Sequence, residues 1–313
     1  MSFITEAIRL DSEYRQLIDA VKKEFSTHKA YPIAISGLSD GASDSAIISL
    51  VEDTKEKRGK MPLVIICPEE KECLRLQKLF TQYGARAGFY LNRDLNFYNI
   101  TASHEYEHER LKVLFGILNS ELDVVISTPD AALSYTIPPQ ELRKSIIRLD
   151  TQTITTPREL CKFLTLCGYT NVDMVDGAGQ FAYRGGIVDI FAPGGFYINE
   201  DGEKVRADLP VRIEFFGDEI DRMGLFSIET QRMIESVECI EFSPAREILA
   251  NAEKIEKLRQ AVSEQFKSSK NADAVLELTA EINAIDGLNG ELSILSDKLA
   301  AKLSKSKHKM EKK

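Results

Sequence analysis

Residues 181–193 read FAYRGGIVDIFAP and set the pattern for the middle of the chain. Apolar runs flank Gly185-Gly186, and paired glycines between such runs are typical of a tight turn between antiparallel strands. Further strand-like runs lie at 145–154, 171–175, 211–216, 219–226 and 235–242. Residues 139–246 therefore predict an α+β domain, with one helix that begins at the capping box Thr156-Pro157-Arg158-Glu159 and runs to about Cys167, where Gly168 stops it.

The first 138 residues follow a different pattern, in which apolar runs alternate with helical segments. After an amphipathic helix predicted at 5–29, short strands are predicted at 32–36, 62–68, 88–91 and 123–129. Helices are predicted between them at 42–57, 69–83 and 105–119. Nearly continuous apolar strands between helices predict a parallel sheet covered on both faces. We therefore expect an α/β fold with a P-loop-NTPase-like domain at 1–138, the α+β domain at 139–246 and a helical segment at 247–313.

The composition is that of a globular chain, with 43% hydrophobic and 28% charged residues among 313. No stretch approaches the roughly 18 consecutive apolar residues of a membrane span. The first residues show no basic region followed by an apolar core, so we expect no signal peptide. The five cysteines form no C-x-x-C pair, which argues against a disulfide framework or a zinc knuckle. These features predict a cytoplasmic protein with reduced thiols.

The charge is unevenly distributed. The formal net charge is −9, but residues 302–313 (KLSKSKHKMEKK) contain six lysines and one glutamate. The acidic remainder of the chain is a poor candidate for nonspecific DNA binding, which needs many cationic side chains on phosphates. The basic tail could contact a polyanion, although such a tail is more often a solvated end.

A loop at 37–44 occupies the place of a phosphate-binding P-loop, directly after the first predicted strand. The motif G-x-x-x-x-G-K-[ST] that starts at Gly37 would need Gly, Lys and Ser or Thr where this chain has Ala42, Ser43 and Asp44. The missing lysine and the added carboxylate would both disfavour a triphosphate. The loop is thus predicted to be an inactive nucleotide loop, with an ordinary strand–helix turn as the alternative.

Residues 104–108 match the zinc-hydrolase pattern H-E-x-x-H, which places His104 and His108 on one helical face. A third ligand is not evident, since the positions where a longer motif would continue hold Leu111 and Leu114. A polar start to a core helix is the simpler interpretation. We therefore predict no metal, no cofactor and no catalytic residues, and we keep a zinc hydrolase that uses the two histidines as an alternative.

Four segments together resemble a known family. They are the stretch 181–193, the stretch 211–221 (VRIEFFGDEID) with Thr230-Gln231-Arg232, the helix segment 109–114, and the strand 123–129, with Gly37-Leu38-Ser39 in addition. These segments resemble the UvrB-homology module at the N-terminus of bacterial transcription-repair coupling factors. The resemblance covers about residues 5–250, is strongest at 168–246 and is poor beyond 251.

The resemblance implies a role and a set of binding residues. The family's module resembles the excision-repair protein UvrB without its ATP site, and its second domain docks on UvrA, the damage-recognition ATPase. The positions that match the docking residues are Phe181, Arg184, Arg212 and Glu214. UvrB has arginines where this chain has Asn171 and Ala182, so fewer charges are expected to reach the partner.

The residue pattern allows two interpretations of this surface. Arg212 and Glu214 are two apart on a strand and so share a face. An exposed Arg/Glu pair can bind a partner, or it can pair only with cross-strand neighbours. With the resemblance, we expect a non-enzymatic, UvrA-recruiting module of transcription-coupled nucleotide excision repair.

The family's motor, RNA polymerase-binding and DNA-binding regions have no counterpart in this sequence. The domain that covers the family's docking face has no counterpart either, so we expect that face to be permanently available. The alternative is a folded remnant without a partner.

Overall fold

A computed structural model describes residues 3–27, 32–92, 105–199, 201–247 and 249. The chain divides into two compact units. The first contains Met1–Arg93 and Val113–Ser134, and the second contains Asp94–Lys112 and Tyr135–Lys313. The domain boundaries expected at 138 and 246 stay predictions, and the helical segment expected at 247–313 lies almost wholly outside the described residues.

In the described ranges the helices are α1 (Phe3–Leu10), α2 (Ser12–Thr27), α3 (Asp40–Arg58), α4 (Glu70–Gln82), α5 (Glu105–Leu118), α6 (Pro129–Leu133), α7 (Pro139–Lys144) and α8 (Pro157–Leu166). The strands are β1 (Leu63–Ile66), β2 (Ala87–Tyr90), β3 (Val124–Ser127), β4 (Ile147–Asp150), β5 (Thr170–Asn171), β6 (Gln180–Arg184), β7 (Ile187–Phe191), β8 (Gly195–Ile198), β9 (Lys204–Arg206), β10 (Val211–Phe216), β11 (Glu219–Phe226), β12 (Met233–Ser236) and β13 (Cys239–Phe242). Parallel and antiparallel sheets coexist, which confirms a mixed α/β protein.

The first unit contains a parallel sheet of order β1-β3-β2. Every residue of the central strand β3 is buried, and α4 packs on the sheet through Cys73, Leu76 and Phe80. The predicted βα alternation is thus confirmed for these strands. Coverage on both faces is not found at β1, where Val64 and Ile66 are exposed among the described residues. As an edge strand of this sheet, β1 is only partly buried, through the alternate side chains of Leu63 and Ile65.

Two predictions for the start of this unit are wrong. Residues 32–36 form no strand, because they pair with no strand in the described part of the chain, and their apolar side chains Ile33 and Ile35 are exposed. The helix predicted at 5–29 is two helices. The carboxylate of Asp11 accepts hydrogen bonds from the backbone N–H groups of Glu13 and Tyr14, at 2.8 and 3.0 Å, and so starts α2 afresh.

The second unit contains two sheets around one core. The six-stranded sheet has the order β12-β11-β10-β7-β6-β5, and the four-stranded sheet has the order β4-β13-β8-β9. Pairing is antiparallel except between β5 and β6. Side chains of both sheets and of α8 form one cluster, with Leu164, Ile190 and Ile240 fully buried. The predicted α+β arrangement is confirmed.

The predicted capping box of α8 is present. The Thr156 hydroxyl accepts from the Glu159 N–H, and the Glu159 carboxylate accepts from the Thr156 N–H. The predicted strand 235–242, by contrast, is divided between the two sheets. At the division, the N–H of Val237 donates to Met223 in one sheet and the N–H of Glu238 donates to Ile198 in the other. No helix among these described residues is long and apolar enough to cross a bilayer.

Candidate protein-binding site

Three of the four predicted docking residues share one face of the six-stranded sheet. Arg212 on β10 pairs in register with Asp189 on β7. One row along, Glu214 pairs with Ile187, which in turn pairs with Arg184 on β6. Side chains in register on neighbouring strands point to the same side of a sheet. We call this side, which lies opposite the core cluster, the outer face.

A buried carboxylate joins the two predicted arginines. The Oδ2 atom of Asp189 accepts hydrogen bonds from Nη2 of Arg184 at 2.8 Å and from Nη2 of Arg212 at 2.9 Å. Its Oδ1 atom accepts from Nε of Arg212 at 2.7 Å. The exposed fractions of the side chains are 50% for Arg184, 14% for Arg212 and 1% for Asp189. Arg184 is therefore the arginine offered to solvent, and Asp189 fixes where its guanidinium lies.

Further contacts hold Arg212 in place. Its Nη1 atom donates to the backbone oxygen of Gln231 at 3.0 Å, and its guanidinium carbon lies 4.6 Å from the centre of the Phe226 ring. Gln231 has a positive φ of 57°, in a turn where its N–H donates to the oxygen of Ser227. The hydrogen bonds to Asp189 raise the pKa of Arg212 above its ordinary value. Arg212 is therefore mostly buried, and its main role is to hold the neighbouring residues of the surface in place.

Glu214 has a cross-strand partner that the sequence did not reveal. Nη2 of Arg222 on β11 donates to both carboxylate oxygens of Glu214, at 2.9 Å each. Arg222 is half exposed, and its register with Glu214 places it on the outer face. The two rows of this face therefore hold the arginines 184, 212 and 222 and the carboxylates of Asp189 and Glu214.

Phe181 is not part of this surface. It is 2% exposed and belongs to the core cluster, because its position on β6 has the opposite side-chain direction from Arg184. Its burial shows a packing role in this structure, so the expectation that it contacts a partner finds no support in its position. Of the two positions where UvrB has arginines, Ala182 is buried beside Asp189 and Asn171 is exposed on β5.

The predicted nucleotide loop leads into a helix that begins two residues earlier than expected. Gly37 has a φ of +81°, but α3 begins at Asp40, so Ala42, Ser43 and Asp44 lie in the first turns of a helix. The Asp44 carboxylate accepts hydrogen bonds from Nη1 and Nη2 of Arg75 at 2.6 and 2.7 Å. Asp44 thus joins α3 to α4, and a degenerate P-loop is not confirmed.

The zinc-hydrolase alternative falls largely outside the described residues, because His104 is not among them. His108 packs closely against Gly179, where an added Cβ would lie 2.8 Å from the imidazole Cε1 and Nε2 atoms. The same glycine has a φ of +81°. Within the described ranges, no group of three or more His, Cys, Asp or Glu side chains is arranged to hold a metal ion.

Comparisons with known proteins agree with the resemblance predicted from the sequence. Residues 147–248 match the family model of the UvrB interaction domain. The chain is 32% identical to the transcription-repair-coupling factor of Bacillus subtilis over 174 residues, which is 54% of this chain and 14% of that protein. It is 25% identical to the Escherichia coli factor over 235 residues, 74% of this chain and 19% of that protein.

A second group of relatives carries the UvrB name. The chain is 25% identical to the UvrABC system protein B of Chlorobium chlorochromatii over 182 residues, 58% of this chain and 24% of that protein. The chain therefore spans between about a seventh and a quarter of the length of these curated relatives. The similarity to the UvrB-homology module of transcription-repair-coupling factors is confirmed.

Proposed function

We propose that this chain is a UvrA-recruiting module that acts in transcription-coupled nucleotide excision repair, in the cytoplasm, with no ATPase activity of its own. The observation that carries the proposal is the outer face, where Arg184, Arg212 and Glu214 lie together and Asp189 holds the two arginines. Residues 147–248, which match the UvrB interaction domain, contain all four. RNA polymerase and DNA would be bound by other regions of the longer relatives.

The chemistry of the outer face suits a protein partner. A half-exposed arginine with a fixed guanidinium can form two parallel hydrogen bonds to a carboxylate with little further loss of side-chain entropy. Arginine is also enriched among the residues that carry most of the energy of protein interfaces. The adjacent Glu214–Arg222 pair places a negative and a positive charge side by side on this face. Charges of both signs at fixed positions favour one orientation of the partner.

The test is a titration of the purified chain against UvrA by calorimetry. We expect the wild type to bind and Arg184→Ala to weaken binding by about tenfold or more, since it removes the exposed cation. Arg206→Ala is the matched control, because Arg206 has a similarly exposed side chain on the four-stranded sheet (56%, against 50% for Arg184). The control should bind within about twofold of wild type.

The results would also decide between this proposal and the folded remnant. No binding at about 100 µM of a chain with a cooperative thermal melt would favour the remnant. Equal affinities of wild type and Arg184→Ala would show that UvrA is bound elsewhere on the chain. Metal analysis of the purified protein addresses the hydrolase alternative, because one zinc per chain is expected only there.

The absence of ATPase activity is the second part of the proposal. The position of the P-loop lysine is Ser43, and the Asp44 carboxylate is engaged by Arg75 at the start of α3. No cation at these positions would neutralise the β- and γ-phosphates of a nucleotide. We expect no saturable ATP binding in a titration with Mg²⁺ and no phosphate release. Hydrolysis that tracks the purified chain would overturn this part.

A further inference from the structure

An exposed aromatic residue lies at the end of the outer face. Phe216 is the last residue of β10, at the turn into β11, and it is 82% exposed. It follows Arg212 and Glu214 in the alternation of β10, so it points to the same side. A single exposed apolar side chain is common, but Phe216 follows the charged Arg212 and Glu214 along β10 on a proposed binding surface.

A second exposed apolar side chain lies beyond the neighbouring strand, with Glu219 between it and Phe216. Phe216 pairs in register with Glu219, and Glu219 forms an isolated antiparallel bridge with Ile154, which is 89% exposed. The N–H of Phe215 donates to the oxygen of Gly186 at 2.7 Å, so the β10–β11 turn lies beside the β6–β7 turn that follows Arg184. Phe216 and the exposed arginine therefore belong to one continuous surface.

The pairing of β10 with β11 shows how this arrangement arises. The register shifts between Glu214 and Phe215, so that Arg222 lies opposite Glu214 and Ile220 lies opposite Phe215. Such a β-bulge redirects the side chains beyond it and is common near functional sites. Here it keeps Ile220 in the core while the outer face continues to Phe216.

We propose that Phe216 is the apolar anchor of the docking surface, with the exposed Ile154 beyond Glu219 as a second apolar contact, and that UvrA receives Phe216 in an apolar pocket bordered by carboxylates. The inference rests on the proposed function. The half-exposed Arg184 and Arg222 support this occupant, since carboxylates at the rim of such a pocket would pair with them. Aromatic residues and arginine are both enriched at protein interfaces.

The experiment measures UvrA affinity for wild type, Phe216→Ala, Arg184→Ala and the control Tyr135→Ala, at about 0.1 and 0.5 M salt. Tyr135 is an almost fully exposed aromatic residue outside both sheets. We expect Phe216→Ala to weaken binding about tenfold at both salt concentrations, because the lost contact is apolar. The loss from Arg184→Ala should be smaller at high salt, and Tyr135→Ala should bind as wild type.

The failures of the two proposals are distinguishable. If wild type binds, Arg184→Ala weakens binding and Phe216→Ala stays within twofold, the anchor is wrong and the UvrA-recruiting function stands. If wild type does not bind, both are wrong. Should Phe216→Ala not fold, Ile154→Ala gives the same test from outside the hairpin, with an expected loss of about threefold; unchanged affinity there would overturn the anchor.

Discussion

Asp189 is the side chain on which the outer face depends. It is an acidic residue in the middle of an apolar strand, and such a residue is stable only when it is paired and hydrogen-bonded. Its two partners, Arg184 and Arg212, belong to the proposed docking surface. Fixing Arg184 before binding reduces the entropy that a partner must remove. Asp189 thus acts through the arginines and has almost no exposed surface of its own.

We expect Asp189→Asn to destabilise the chain by about 2–3 kcal/mol, because the amide keeps the size but leaves the mostly buried Arg212 without its anionic partner. The measurement is urea unfolding followed by circular dichroism. UvrA affinity should fall as well, since Arg184 is no longer held. Asp221→Asn, an exposed change on β11, is the control and should stay within about 0.5 kcal/mol of wild type. Equal unfolding midpoints for both variants would contradict the role given to Asp189.

Single residues also join whole elements, as Asp123 does in the first unit. It precedes β3 and accepts hydrogen bonds at 3.0 Å from the backbone N–H, Nε and Nη2 of Arg86, which precedes β2. Nζ of Lys55 on α3 lies 3.2 Å from its Oδ1 atom. The side-chain hydrogen bonds from Arg86 hold the pKa of Asp123 well below its usual range, against the opposing effect of burial.

This pKa predicts an acid-sensitive contribution to stability. The unfolded chain has an Asp pKa of about 3.9, so the contribution is fully present above about pH 4 and is lost as the pH falls toward the lowered folded value. Asp123→Asn should therefore unfold more easily than wild type at pH 7, and the difference should shrink as the pH falls from about 4 to 2. Urea midpoints measure this. The exposed change Glu56→Gln on α3 is the control, and a constant difference across the pH range would refute the assignment.

Elements differ in how far the sequence predicts them. The runs that became β1, β2 and β3 were predictable because buried parallel strands are apolar and lie between helices. The strand prediction for the apolar run at 32–36 was wrong, because an apolar composition alone does not provide a neighbouring strand to pair with. The strand predicted at 235–242 is divided because its backbone forms hydrogen bonds with two different sheets. The pattern of apolar residues does not show which strands will pair.

The site was partly predictable by the same reasoning. Arg184, Arg212 and Glu214 followed from the resemblance and from strand alternation. Asp189 carried an available signal, namely a charge inside an apolar strand. The position of Phe181 was also readable, because it is three residues from Arg184 and so faces the other way. The pairing of Arg222 with Glu214 could not be predicted, since their register depends on the bulge.

At the scale of the whole molecule, one buried ion pair connects distant parts of the second unit. Nε and Nη2 of Arg110 on α5 donate to the two carboxylate oxygens of Glu247 at 3.0 and 2.9 Å, across 137 positions of the chain. Both side chains are fully buried. The Thr136 hydroxyl donates to the same carboxylate at 2.7 Å, so a loop also joins the pair. The pair thus fixes three separate segments.

We expect Glu247→Gln to destabilise the second unit by about 3–5 kcal/mol, because it removes the carboxylate charge that two nitrogens of the buried Arg110 contact. Thermal and urea unfolding test this, with the exposed change Glu238→Gln as the control. The double variant Arg110→Met with Glu247→Leu should recover part of the loss, since it removes both charges together. A Glu247→Gln variant as stable as the control would show that water or another group compensates Arg110.

The bulge in β11 also bears on which changes in chain length the hairpin can accept. Between the pairs Glu214–Arg222 and Phe215–Ile220, one step on β10 corresponds to two on β11, and Asp221 is the additional residue. Loss of Asp221 alone would leave a regular ladder with both pairs intact, whereas loss of a single residue elsewhere in β11 would turn a segment inside out. Homologous chains that lack one residue here could therefore keep the same surface.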